Sequence, residues 1–177
     1  FMNKRYGRFG WSKGSLLNFC IGQGEILVTP IQVFNYVNLL ATKGKSNSPH
    51  LVSSTKKDSE NEIPLSSQIW DRIIFDMGQV ISHAKGTGKN ADPAIQGAKI
   101  YGKTGTAENP HGEDHAWFIG WMKYYEKSFS IVVLLENSGS GGAKSCTSAS
   151  NTSSIPSPVF ADIAIASSAG RPTTSSI

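Results

Sequence analysis

The chain has 177 residues, enough for one domain or a large piece of one and enough to bury a core without disulfide or metal staples. With 38% hydrophobic and 17% charged residues it has the composition of an ordinary globular protein. The formal net charge of +4 comes from scattered Lys and Arg with no basic stripe, so no nucleic-acid partner is expected.

The two cysteines, Cys20 and Cys146, lie far apart and form no C-x-x-C pair, which argues against a disulfide framework or a redox motif. Cys20 sits in the apolar stretch Asn18-Phe19-Cys20-Ile21 and reads as a buried free thiol. Cys146 lies among serines and reads as exposed. No stretch approaches the roughly 20 apolar residues of a membrane span. The opening Phe1-Met2-Asn3-Lys4-Arg5 lacks the apolar core of a signal peptide. It starts abruptly inside what reads as domain sequence, so an upstream continuation is expected.

Residues 1–28 are rich in glycine and aromatics and end in Ile26-Leu27-Val28. Ile21-Gly22-Gln23-Gly24-Glu25 has too many glycines for a helix interior and reads as a loop where backbone packs closely. A helix follows. Thr29 caps it, Pro30 suits its first turn, and Gln32 completes a capping box with Thr29. Ile31, Val33, Phe34, Val37, Leu40 and Ala41 form its apolar face, and Gly44 is the natural stop. Pro49-His50-Leu51-Val52 reads as a short strand, and residues 53–63 as a polar surface loop.

A second helix is predicted from about Ser66 to about His83, with Ile69, Trp70, Ile73, Ile74, Met77, Val80 and Ile81 as its buried stripe. Gly86-Thr87-Gly88 ends it. Three strands are then predicted, Lys99 to Ala107, His115 to Met122 and Phe129 to Glu136, joined by Asn109-Pro110-His111-Gly112 and by Lys123 to Lys127. Connections this short imply antiparallel hairpins. Ser138 to Ile155 is dominated by Ser, Gly, Thr and Ala and reads as flexible. A final helix is expected over 157–169, with Val159, Phe160, Ile163 and Ala164 inward, followed by a disordered tail over 170–177. The fold class is therefore α+β, an antiparallel sheet flanked by helices.

Gly102-Lys103-Thr104-Gly105-Thr106-Ala107 is the run that carries chemistry. On an edge-forming strand, Lys103 sets a fixed cation beside a substrate carboxylate. Gly105 removes a side chain, so that substrate can lie along the strand. The Thr104 and Thr106 hydroxyls suit a carboxylate, and a backbone N–H suits an oxyanion. Gly97 with Gly102-Lys103-Thr104 also matches the phosphate-loop pattern G-x-x-x-x-G-K-[ST]. That motif needs a buried strand before it and a helix after it. Asn90 to Gln96 is no buried strand, and Gly105, Pro110 and Gly112 disfavour a helix. His111, Glu113, Asp114 and His115 cluster in the following turn, where a hydrogen-bonded rim is favoured over a metal site. No metal or cofactor is expected.

Lys-Thr-Gly occurs with S-x-x-K and a Ser-x-Asn element in penicillin-binding proteins and related β-lactamases. Further ordered blocks resemble the class B penicillin-binding proteins of the elongation type, the penicillin-binding protein 2 group. Ile21-Gly22-Gln23-Gly24-Glu25 followed by Thr29-Pro30-Ile31-Gln32 resembles their "IGQG…TPxQ". Ser48-Pro49-His50-Leu51-Val52 resembles "PHLV". Gly102 to His111 and Asp114-His115-Ala116-Trp117-Phe118 resemble "GKTGTAxNPHG…DHxWF". Glu136-Asn137 with the glycines after it resembles "ENGG", and Pro158-Val159-Phe160 the start of the final helix. The resemblance covers about residues 6–143, and more weakly 157–166. It implies that 1–143 is the C-terminal portion of a transpeptidase domain, a partial penicillin-binding protein/serine β-lactamase fold.

The implied activity is a serine D,D-transpeptidase that cross-links peptidoglycan stem peptides and is acylated by β-lactams. Lys103, Thr104 and Gly105 would be the catalytic strand. Lys103 would support proton transfer and hold the substrate's anionic end, and Thr104 and Thr106 would bind its carboxylate. The Thr106 N–H would be half of the oxyanion hole. Implied partners are stem peptides, β-lactams, the upstream half of the same domain and a glycosyltransferase of the elongation machinery. The implied location is the outer face of the bacterial cytoplasmic membrane, with the anchor outside this chain. Two other readings of the fold stay open: a non-catalytic β-lactam-sensing or scaffold domain, and a D,D-carboxypeptidase or β-lactamase. The latter would share Lys-Thr-Gly but not the "IGQG" and "NPHG" blocks.

In that family the nucleophilic serine and the Ser-x-Asn element precede the "IGQG" block, so no nucleophile is expected in this chain. Ser54-Thr55-Lys56-Lys57 and Ser82-His83-Ala84-Lys85 fit S-x-x-K, and Ser59-Glu60-Asn61 fits Ser-x-Asn. Ser54 and Ser59 lie in a charged loop, where a base keeps its ordinary pKa. Ser82 lies at a helix C-terminus, whose negative end disfavours an alkoxide. Residues 144–156 depart from the family pattern, either as a Ser-rich insertion or linker of the lineage or as a sequence error in a partial gene.

Overall fold

The computed structural model describes residues 4, 7, 10–24, 27–46, 61–139, 145–149, 162–167 and 173–174. Helix α1 (Lys13–Cys20) has no counterpart among the elements predicted from sequence. Its signal is Ser12, which caps it by accepting the Ser15 N–H at 3.1 Å. Beyond it, Gly22 and Gly24 take φ of +80° and +98°. A methyl group on Gly22 would meet nothing within 4 Å, so the glycine serves a left-handed backbone and not the close packing expected of it. None of the side chains of α1 is buried, and Cys20 is exposed, contrary to expectation.

Helix α2 (Pro30–Ala41) carries the expected capping box. The Thr29 N–H donates to Gln32 Oε1 at 2.8 Å, and the Gln32 N–H donates to Thr29 Oγ1 at 3.4 Å. Phe34, Val37 and Leu40 are buried, while Ile31 stays exposed. Gly44 closes the helix at φ +95°, its N–H donating to the Leu39 carbonyl at 2.7 Å. A side chain here would strike the Trp70 ring, 2.6 Å from its Cζ2. The two-residue strands β1 (Lys45–Ser46) and β2 (Asn61–Glu62) pair antiparallel. The expected strand at 49–52 lies outside the described residues.

Helix α3 (Ser67–Ser82) matches its prediction, with Ser66 and His83 at its caps. Trp70, Met77 and Ile81 are buried, Ile73, Ile74 and Val80 are half-buried, and Ile69 faces solvent. A 3-10 turn, Lys89–Ala91, follows.

The sheet begins with β3 (Ala98–Ala107), β4 (His115–Tyr124) and β5 (Lys127–Glu136), antiparallel in sequence order. Tyr125 and Glu126 alone make the second turn, so the strands run further than expected. Phe118 sits opposite Thr104 on one side and Val133 on the other, and Gly102 opposite Gly120. Alternation sends neighbouring side chains to opposite faces. On one face Trp121 and Val132 pack with Phe34, Val37, Leu40, Trp70 and Met77. On the other, Phe118 and Val133 pack with Ile81, Ala91, Cys146 and Ala149.

The C-terminal part departs from expectation. Residues 145–149 are helical (α4), not a flexible linker. Ser145, Cys146 and Ala149 are buried because small side chains fit flat against the sheet, and Ser145 Oγ donates to the Trp117 carbonyl at 3.2 Å. Cys146 is therefore the buried thiol and Cys20 the exposed one, the reverse of the sequence reading. Of the expected helix over 157–169 the structure describes 162–167, and these form a strand: β6 (Asp162–Ser167) pairs parallel to β5. Asp162-Ile163-Ala164-Ile165-Ala166-Ser167 alternates with period two and carries β-branched residues, a strand pattern that outweighs the helical spacing of its neighbours. Within the expected tail, β7 (Thr173–Thr174) pairs antiparallel with β6.

Candidate functional site

Strand β3 stands at one end of the described sheet, so the Lys103–Thr106 run lies along an edge, as its chemistry requires. Two aromatic contacts fix the strand just before it. Tyr101 stacks on Trp121 at 5.1 Å with 13° between the planes. Gly102 lies over Phe118, where a methyl group would come within 2.5 Å of the ring Cζ.

Lys103 is exposed and opposes Ile119, and its ammonium donates to the Thr104 carbonyl at 2.5 Å. Alternation puts Lys103 and Gly105 on one face of the strand and Thr104 and Thr106 on the other. The triplet therefore reaches a ligand on the strand's edge from both sides. At Gly105 a methyl group would sit 3.3 Å from Trp117 Cβ, so the glycine keeps that flank low.

The amide of Gln23 donates to the Thr106 carbonyl at 2.9 Å. That carbonyl thus points away from β4. In an antiparallel strand a residue's N–H and C=O leave on the same side, so the Thr106 N–H faces the edge that Gln23 approaches, as does that of Thr104 two residues earlier. Gln23 is held in turn by its own N–H, which donates to the Asn18 carbonyl at 2.9 Å. The Thr104 hydroxyl lies 2.9 Å from the hydroxyl of Thr87, in the loop after α3. Neither Gln23 nor Thr87 has a role expected from sequence. The available signals were the glycines on either side of each.

The β3–β4 turn is tied to the end of β5. Asn109 Nδ2 donates to Asn137 Oδ1 at 2.7 Å, and the Asn109 side-chain oxygen accepts the His111 N–H at 3.1 Å. The Asn137 N–H donates to His115 Nδ1 at 3.0 Å, which puts the proton of a neutral His115 on Nε2. The Asp114 carbonyl accepts the N–H groups of Ser138 and Gly139, both at 3.0 Å. His115 and Asp114 thus build a rim, and no three His, Cys, Asp or Glu residues gather to hold a metal among the described residues.

Two competing motifs find no support. Gly102-Lys103-Thr104 lies inside a strand that leads into a second strand, where a phosphate loop would lead into a helix. Ser82 Oγ donates to the Gly78 carbonyl at 3.0 Å, as helix hydroxyls do. Ser54 and Ser59 lie outside the described residues.

Comparison with known proteins shows the family of the chain. Residues 2–164 match the family described as the penicillin binding protein transpeptidase domain. The chain is 32% identical over 165 residues to the peptidoglycan D,D-transpeptidase MrdA of Haemophilus influenzae, covering 79% of this chain and 25% of that protein. The penicillin-binding protein PBP2 of Helicobacter pylori superposes with a TM-score of 0.66 at 30% identity, over 85% of this chain and 29% of that one. The same protein is known in complex with MreC. Penicillin-binding protein A of M. tuberculosis, as its imipenem acyl-enzyme complex, superposes with a TM-score of 0.60 at 25% identity, over 75% of this chain and 32% of that one. The chain spans about a quarter of the length of the curated relatives it matches.

Proposed function

The chain belongs to the penicillin-binding protein transpeptidase domain family, in its class B, penicillin-binding protein 2 type, and on that premise we propose that it supplies the Lys-Thr-Gly wall of a peptidoglycan D,D-transpeptidase site. The serine comes from the remainder of the protein. Its oxygen attacks the penultimate carbonyl of a D-Ala-D-Ala stem, the C–N bond breaks, and D-Ala leaves with a proton. An amine of a neighbouring stem then attacks the acyl-serine, forming the cross-link and releasing the serine. β-Lactams take the same acyl step and remain attached.

The observation that carries this reading is the edge of β3. The Thr106 carbonyl turns outward to Gln23, which sets the Thr106 N–H along the outer edge of the described sheet, where the oxyanion would form. Thr104 and Thr106 offer hydroxyls to the substrate carboxylate from one face of the strand. Lys103 brings its positive charge from the other, where it steadies the anionic end and aids proton transfer. Alone, this wall acylates nothing.

The protein works at the outer face of the bacterial cytoplasmic membrane, anchored by sequence outside this chain. Its partners are stem peptides, a glycosyltransferase of the elongation machinery and, by analogy with the H. pylori complex, an MreC-type scaffold. The test is fluorescent-penicillin labelling of the full-length protein carrying Lys103→Ala. We expect the labelling rate to fall by about 10²-fold or more, the scale of losing one preorganised electrostatic contact to the transition state. Unchanged labelling would refute the assignment.

A further inference from the structure

Thr87 is used by none of the chemistry above, yet its hydroxyl lies 2.9 Å from that of Thr104. The loop holding it is pressed onto the end of α3. The Gly86 N–H donates to the His83 carbonyl at 2.8 Å, and the Gly88 N–H donates to the Val80 carbonyl at 2.9 Å. A methyl group on Gly86 would stand 2.3 Å from the Val80 carbonyl oxygen, and one on Gly88 would stand 2.9 Å from Ile81 Cδ1. Ile81 packs in the same buried cluster as Phe118, the cross-strand neighbour of Thr104. Thr87 therefore reaches β3 from a loop fixed by core contacts, although its own side chain is exposed.

We propose that Thr87 is a positioning residue that aims the Thr104 hydroxyl proton at the substrate carboxylate, a role that rests on the transpeptidase reading above. A hydroxyl has one proton to donate and two lone pairs to accept with. When a carboxylate takes the Thr104 proton, Thr104 remains an acceptor, and the Thr87 hydroxyl is placed to donate to it. The chain Thr87 to Thr104 to carboxylate then runs in one direction, each bond polarising the next. It also holds the Thr104 side chain in one rotamer before substrate arrives. The ligand recognised is any acyl donor with a carboxylate next to its scissile amide, whether a stem peptide or a penicillin.

The test measures second-order acylation constants of the full-length protein with benzylpenicillin and with its methyl ester, which lacks the carboxylate charge. The set comprises wild type, Thr87→Val, Thr87→Ser, Thr104→Val and Thr87→Val/Thr104→Val. We expect Thr87→Val to slow acylation by benzylpenicillin about 3- to 10-fold, the worth of one hydrogen bond. Thr87→Ser should return to within about twofold of wild type, because the hydroxyl is restored. The ester should react with wild type and Thr87→Val at equal rates, and Thr87→Val should add no loss to Thr104→Val. Equal losses with acid and ester, or additive losses in the double variant, would make Thr87 merely structural and overturn the proposal. Benzylpenicillin acylation of Thr87→Val at the wild-type rate would overturn it too. A wild-type protein that no penicillin acylates would instead refute the transpeptidase reading on which it rests.

Discussion

Gly120 is where the fold leaves the site strand no tolerance. It opposes Gly102 across the β3–β4 ladder, one residue from the Lys103 pair. A methyl group on Gly120 would stand 2.3 Å from the Tyr101 carbonyl oxygen and 3.0 Å from Gly102 Cα. Both are backbone atoms of a paired strand, so no side-chain rotation relieves the clash and β3 must shift from β4. Overpacking a filled core costs about 1–3 kcal/mol. With backbone as the obstacle, Gly120→Ala belongs at the upper end, about 3 kcal/mol. For a chain of this size that lowers Tm by about 6–12 °C, at about 2–4 °C per kcal/mol. Gly105→Ala is the control. Its methyl would meet Trp117 Cβ at 3.3 Å, a contact that small movements relieve at about 1 kcal/mol or less. Calorimetry or guanidinium unfolding of the two variants checks the difference. If Gly120→Ala melts within 2 °C of wild type, or Gly105→Ala is the less stable of the two, the packing derived for these strands is wrong.

Other expectations follow from single contacts. Thr29→Ala removes the capping box of α2 and should lower unfolding stability by about 1 kcal/mol, whereas Thr29→Ser should retain most of it. Asn137→Ala cuts the 2.7 Å bond to Asn109 that ties the β3–β4 turn to β5. It should cost about 0.5–1.5 kcal/mol and speed hydrogen exchange in residues 108–114 before the strands. Cys20 should react with a thiol reagent in the native protein and Cys146 only after denaturation, because the first is exposed and the second buried. Burial pushes the Cys146 thiol from about 9 up to about 11, partly offset by a hydrogen bond with Ser145. The folded state thus prefers the neutral thiol. Its contribution to stability is complete below pH 9 and is lost as pH rises toward 11, which pH-dependent unfolding of Cys146→Ala against wild type would show.

The parts legible in the sequence were those whose local signals agree with their packing. The Thr29 capping box, the stripe from Trp70 to Ile81 and the period-two strands around Lys103 all define themselves within a dozen residues. The place of β3 at one end of the described sheet agrees with the edge-forming strand expected for Lys103-Thr104-Gly105. Helix α1 was hidden by its composition. Its eight residues bury no side chain, so no apolar stripe marks them and only Ser12 announces the start. Residues 145–149 look flexible in sequence because Ser, Cys and Ala resemble linker material. Their burial depends on a sheet surface built far away in sequence, by Phe118 and Val133. Strand β6 pairs parallel to β5, and no short turn signals such a long-range contact. Gln23 and Thr87 were missed for the same reason: each meets β3 only in the folded chain, across 83 and 17 residues respectively.

The most direct measurement is the intact mass of the full-length protein and of residues 1–177 alone after excess benzylpenicillin, with peptide mapping of any adduct. We expect one adduct on the full-length protein, at a serine outside residues 1–177, and none on the 177-residue chain. A stoichiometric adduct within the chain, abolished by Ser54→Ala or Ser82→Ala, would place the nucleophile inside it and contradict the half-site built on Lys103, Thr104 and Thr106.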